Sequence, residues 1–144
     1  MPYHNILIAL DLSDEAKLVL ERGQEIARQF SAGLKLIHVV EPILPAPPYE
    51  LPSVSPLEME QELSQQARRR LQELAQSVGI DTEDVVIETG STTTCIVDFA
   101  VEQKADLIVI GSHGRHGVGL LLGSTANSVL HHTRVDVLAV RVGQ

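Results

Sequence analysis

The sequence predicts an α/β fold, a single five-stranded parallel sheet with helices on both faces. Five short apolar runs alternate with segments whose apolar residues recur at helical spacing, giving the order βαβαβαβαβ. The first and fourth runs, residues 6–10 and 107–110, are unbroken and rich in branched side chains, as in strands covered on both faces. A glycine-rich segment, Gly111-Ser112-His113-Gly114, follows the fourth run, and a helical pattern opens at Gly123-Ser124-Thr125. Alternation of this kind requires right-handed crossovers, and ligands then sit at the carboxyl ends of the strands, where the winding reverses. With 144 residues, the chain 1–144 is expected to form one domain.

Residues 6–10 are the first strand and lead into Asp11-Leu12-Ser13. Ser13 is a candidate helix cap, with Asp14 and Glu15 in the first turn. Ala16, Val19, Leu20, Ile26, Ala27 and Phe30 share the buried face of that helix, and Gly33 is its expected stop. Residues 34–40 are the second strand. Pro42, Pro45, Pro47, Pro48 and Pro52 exclude helix and central strand from the excursion that follows. Ser55-Pro56-Leu57-Glu58 is a capping box with proline at the first helical position. Its helix buries Leu63, Ala67, Leu71, Leu74, Ala75 and Val78 and stops at Gly79. Residues 85–88 are a short third strand. Thr89-Gly90-Ser91-Thr92 is a turn and cap, and Ile96, Phe99 and Ala100 anchor the third helix. The helix over residues 124–132 turns Val129 and Leu130 inward. The last strand, residues 135–142, carries Asp136 and Arg141, which suits a sheet edge.

Composition narrows the function. The formal charge is −8, and the one basic cluster, Arg68-Arg69-Arg70, lies among Glu60, Glu62 and Glu73 as a solvated helix face. Aromatic residues are 3% and tryptophan is absent, so neither a basic field nor a base-stacking platform points to nucleic acid. No apolar run approaches the roughly 18 residues of a membrane span, and the opening residues lack the basic and cleavage signals of a leader. Cys95 stands alone and cannot form an internal disulfide, which fits a cytoplasmic protein. At the start of a helix it reads as a core thiol, the competing reading being a thiolate of lowered pKa. His131 and His132 are adjacent on a helix and diverge by about 100°, so they cannot share a metal. There is no Gly-x-x-x-x-Gly-Lys-Ser/Thr loop and no evident catalytic apparatus, so an enzyme is not expected.

The glycine segment remains as the functional signal. Without Cβ atoms its amides can approach a ligand closely. Amides that open a helix are unpaired and carry partial positive charge, which suits phosphate. Asp11 ends the first strand and Gly111 the fourth, so the two line one crevice if those strands are neighbours.

The residues together resemble the universal stress protein family along nearly the whole chain. The resemblance rests on Ile6-Leu7-Ile8-Ala9-Leu10-Asp11-Leu12-Ser13, on Leu36-Ile37-His38-Val39, and on the segment from Ala105-Asp106 through Gly111-Ser112-His113-Gly114. Leu121-Leu122-Gly123-Ser124-Thr125-Ala126 and Val137-Leu138-Ala139-Val140 complete it. It implies the adenine-nucleotide α-hydrolase-like sheet of order 3-2-1-4-5 and a homodimer formed by antiparallel pairing of the last strands. It also implies a site for ATP as a regulatory ligand, with magnesium as a compatible companion that leaves little trace in sequence. Asp11 would then accept the ribose hydroxyls, Val39 would present its backbone to the adenine edge, and Ala9 would leave room for the base. Gly111 and Gly114 would wrap the ribose and α-phosphate, and Gly123, Ser124 and Thr125 would face the outer phosphates. The competing reading gives these glycines only a turn and Ser124 only a helix cap. Nucleotide-binding members carry Gly-x-x-Gly, nine residues, then Gly-Ser or Gly-Thr. Here residues 115–122 provide eight, and this departure favours the alternative of a nucleotide-free dimeric interaction protein of the same family.

Overall fold

The computed structural model describes residues 3–42, 55–112 and 123–142. In chain order they form β1 (Asn5–Ala9), α1 (Ala16–Phe30), β2 (Gly33–Val40), α2 (Pro56–Ser77), a 3-10 turn (Thr82–Asp84), β3 (Val85–Thr89), α3 (Thr92–Glu102), β4 (Leu107–Gly111), α4 (Ser124–His132) and β5 (Asp136–Val140). The five strands make one parallel sheet of order β3-β2-β1-β4-β5. Winding runs from β1 outward through β2 to β3, then returns and runs through β4 to β5. The switch therefore falls between β1 and β4, where Ala9 lies opposite Ile110.

Strand periodicity divides the core into two layers. Ile6 and Ile8 of β1 face α1 and α2, together with Leu20 and Leu71. Leu7 and Ala9 face α3 and α4, together with Ile96, Phe99 and Val129. Both faces of β1 are covered, which is why its run in the sequence is unbroken. Helix α1 lies so close to β1 that a Cβ on Gly23 would collide with Ile8, at 2.8 Å from Cγ1 and nearer still to Cδ1. Here glycine serves close helix–strand approach, a role that the helical pattern around it does not announce.

Helix α2 starts as its capping box predicts, with the Ser55 hydroxyl accepting from the Glu58 amide at 3.1 Å and Pro56 in the first turn. Its end also follows the sequence, because Gly79 takes a positive φ of 79°. Helix α1 departs from expectation at both ends. It begins at Ala16, and Ser13 offers its backbone carbonyl to the Ala16 amide instead of a side-chain cap. The cause is local: the Asp11 carboxylate accepts the Ser13 amide, and Leu12 takes a left-handed φ of 63°, so residues 11–15 form turns before the helix starts. At its far end Ser31 takes the left-handed cap with φ of 53°, and Gly33 is already the first residue of β2, opposite Asn5.

Three core assignments change as well. Phe30 is exposed and stacks edge-on against Tyr3, with ring centroids 5.3 Å apart. Leu63 and Leu130 are exposed where helical periodicity placed them inward. Val129 alone supplies the buried side chain of that pair, because adjacent residues on a helix cannot both face the sheet. The proline-rich residues 43–54, and the residues 113–122 that include Gly114, lie outside the described residues.

Candidate functional site

A cleft of about 1080 Å³ opens across the carboxyl ends of β1, β2 and β4. It brings together Ala9, Asp11, Val39, Gly111, Gly123, Ser124 and Thr125 from separate stretches of chain. Of the residues proposed from sequence for a nucleotide site, only Gly114 lies outside the described residues. The volume is of the size that takes a nucleotide-scale ligand.

Ala9 and Val39 form part of the floor and are buried, on the α3 and α4 side with Ile37, Ile96, Ile110 and Ala126. These apolar groups suit the face of a flat ring. The edge of such a ring would meet the backbone of β2. The last paired residue of β1 is Ala9, opposite Ile37, and the Leu10 amide still donates to the Ile37 carbonyl at 3.0 Å. Peptide groups along an extended strand point alternately to its two neighbours. Val39, two residues past Ile37, therefore turns its N–H and C=O toward the side where β1 has already left the sheet. Val40 turns the other way, and its carbonyl accepts from Gly90 on the β3 side at 3.0 Å.

Asp11 stands exposed where β1 ends. One carboxylate oxygen holds the Ser13 amide at 3.0 Å, which orients the group and leaves the other oxygen to accept. Helix α4 begins on the far side of the cleft. The amides of Ser124, Thr125 and Ala126 open it, where no carbonyl of the helix itself can reach them, and the Asn127 amide is the first to bond back, to Gly123 at 2.9 Å. The Gly123 amide is committed elsewhere, because it donates to the Ser112 carbonyl. Gly123 is also the cap residue, so Ser124 is the first helical residue and the ordinary-cap reading of its side chain does not hold. Anion-facing donors are thus concentrated at Ser124 and Thr125.

Ser112 is the residue that sequence reasoning passed over as a loop position. It is the buried polar residue among the described core residues. Its amide donates to Val140 at 2.7 Å, its hydroxyl accepts from the Val142 amide at 3.2 Å, and its carbonyl receives Gly123. One residue, through its backbone and its hydroxyl, thus ties β4, the end of β5 and the start of α4 together. The signal available in sequence was a serine directly after a buried strand, a place where a hydroxyl meets leftover backbone groups.

The charge around the cleft constrains its occupant. Among the described lining residues, Asp11, Glu15 and Glu41 are acidic and Arg70 is the single arginine, with no lysine. Among the described lining residues, a polyanion would meet the helix amides and Arg70. Arg68, Arg69 and Arg70 are all exposed, as a solvated helix face requires, and Arg70 also lines the cleft. Glu41 accepts from the Thr92 hydroxyl at 2.9 Å, which closes the β3 side. Burial pushes the Cys95 thiol up from its ordinary value, and the neighbouring Glu88 adds to the effect, the opposite direction from an activated thiolate. It packs against the α3 and α4 core, as the core-thiol reading holds. Among the described residues no cluster of three His, Cys, Asp or Glu could hold a metal, and no helix is long and apolar enough to cross a membrane.

Comparison with known proteins places this geometry in context. Residues 2–141 match the model of the universal stress protein family. Universal stress protein A homolog 1 of Coxiella burnetii is 37% identical over 142 residues, covering 97% of both chains. Universal stress protein A of Escherichia coli strain K12 is 30% identical over 141 residues, covering 97% of this chain and 95% of its own. Among solved structures, hypothetical protein MJ0577 superposes with a TM-score of 0.79 at 24% identity, over 100% of this chain and 99% of that one, a likeness of fold. A universal stress protein solved in complex with cAMP superposes with a TM-score of 0.69 at 25% identity, over 99% of this chain and 100% of that one.

Proposed function

Because the chain belongs to the universal stress protein family, we propose that it is a cytoplasmic, homodimeric stress-response protein that binds ATP as a regulatory ligand in the cleft between β1 and β4. The observation that carries this reading is the convergence, in one cleft, of the Asp11 carboxylate, the open Val39 peptide groups and the first amides of α4. Each matches one part of an adenine nucleotide: hydroxyls, base edge and phosphates. An N–H beside a C=O on one strand pairs with the N1 acceptor and 6-amino donor of adenine, and mismatches the reversed pattern of guanine. The relative solved with cAMP supports an adenine nucleotide as the ligand class.

When bound, magnesium would neutralise part of the phosphate charge in a cleft whose described lining includes Asp11, Glu15 and Glu41. The ligand is read as held and not rapidly turned over, since the sequence carries no Gly-x-x-x-x-Gly-Lys-Ser/Thr loop. Dimerisation through β5 is supported by its place at the sheet edge, where β4 is its one partner strand among the described residues, and by the exposed Leu130 of α4.

The eight-residue spacing before Gly123 favours a second reading, a dimeric interaction protein without nucleotide. Mass spectrometry of small molecules released from the purified protein separates the two. Recovery of adenine nucleotide near one per chain is the expected result. A ligand-free protein that also fails to bind millimolar ATP with magnesium would establish the second reading.

A further inference from the structure

Resting on the adenine-nucleotide reading of the cleft, we infer that His38 is a positioning residue that ends the β1–β2 ladder one bond early and so leaves the Val39 peptide groups free for the base. Continued parallel pairing beyond Ala9 would bring the Val39 amide to the Leu10 carbonyl. That bond is not formed. The Leu10 carbonyl is instead held by His38 Nδ1 at 2.7 Å, in a half-buried contact. A carbonyl can only accept, so Nδ1 carries the proton, and it does so in both the matching neutral tautomer and the imidazolium. Leu10 thereby has its N–H on the Ile37 backbone and its C=O on the His38 ring.

Two consequences follow from this substitution of side chain for backbone. The Leu10 carbonyl, on a residue only 5% exposed, has its partner without drawing β1 onward along β2. The chain can then turn away through Leu12, whose φ of 63° marks the departure, and carry Asp11 to the lip of the cleft. The Val39 N–H, with no acceptor on β1, is left as a donor in the cleft. His38 itself lines the cleft beside Val39. Its effect on ligand passes through the backbone, so it governs which base is accepted more than how phosphates are held.

The test compares wild type with His38→Leu, which removes the donor, and His38→Asn, whose Nδ2 occupies the place of Nδ1. Hydrogen exchange in the nucleotide-free proteins reads the ladder directly. The Val39 amide should exchange quickly in wild type and His38→Asn. In His38→Leu it should slow by about tenfold or more as it takes the Leu10 carbonyl. A Val39 amide already protected in wild type, or unchanged in His38→Leu, overturns the inference. Titration with ATP and with inosine triphosphate, whose base edge is reversed, reads the consequence. Wild type and His38→Asn should prefer ATP, and His38→Leu should lose about tenfold in ATP affinity and most of that preference. Equal losses for both nucleotides would show a general structural role and overturn it. A wild type that binds neither nucleotide sinks the proposed function, while exchange at Val39 still decides whether His38 ends the ladder.

Discussion

The two ends of the sheet use the same kinds of residue for opposite purposes. At the amino ends of β1 and β4, the Asp106 carboxylate accepts the His4 amide at 2.8 Å and the Asn5 amide at 3.0 Å. The Asn5 carbonyl accepts from the Asp106 amide at 2.9 Å, and its side-chain amide reaches the Lys104 carbonyl at 3.2 Å. At the carboxyl ends, Asp11 holds a single local amide and stands exposed. Val39 and the first amides of α4 are left without partners on neighbouring strands or in their own helix. Where backbone groups are closed by carboxylates, the end stabilises the fold. Where a carboxylate and amides remain open around a cleft, the end is built to meet something else.

This contrast can be broken from either side. The largest expected effect is at the open end: Asp11→Ala should weaken ATP by about 100-fold, the loss of a charged acceptor to two hydroxyls, with stability changed by less than about 0.5 kcal/mol. Calorimetric titration and a urea melt measure the two quantities. Asp106→Ala should do the reverse, losing about 1–2 kcal/mol of stability with ATP affinity unchanged.

The same carboxylate has a pH signature. Burial alone would push Asp106 up, but the hydrogen bonds from His4 and Asn5 outweigh it and hold the carboxyl below its ordinary value. A carboxyl lowered on folding contributes stability above its unfolded pKa of about 3.9, and that contribution is lost as pH falls through the lower folded value. Wild type should therefore lose more stability than Asp106→Asn below about pH 4, as acid titration followed by circular dichroism would record.

Ser112→Ala sharpens the comparison because Ser112 belongs to both roles. It should lose about 1 kcal/mol by leaving the Val142 amide without its acceptor, and should leave ATP affinity within a few-fold, because the carbonyl that receives Gly123 remains. Smallest is Tyr3→Phe. The hydroxyl donates to Asp136 at 2.7 Å in an exposed setting, and its removal should leave the thermal midpoint unchanged within error.

The sequence made the closed interior legible and the open end only partly so. The alternation of strands and helices, the cap at Ser55 and the stop at Gly79 follow from patterns written over consecutive residues, whereas strand order came with the family resemblance. Asp11, Val39, Ser124 and Thr125 were singled out because the family resemblance covers their segments, and all four line the one cleft. Ser13 does not cap α1 because the chain turns locally after Asp11, with Leu12 left-handed, and the helix opens only at Ala16. The other features that were missed depend on contacts across the sheet. Gly23 is small because Ile8 lies against it. Ser112 and His38 carry their roles through carbonyls and amides more than twenty residues away in sequence, at Val142 and Leu10. Local propensity holds no information about such partners, because register between strands determines them.

Amide chemical shifts recorded during titration of the nucleotide-free protein with ATP and magnesium test the asymmetry between the two ends most directly. The account predicts saturable changes at residues 10–13, at Val39 and Glu41, at Gly111 and at residues 124–126, with His4, Asn5 and Asp106 silent. No changes up to millimolar ATP, or changes centred on the amino ends of β1 and β4, would contradict it.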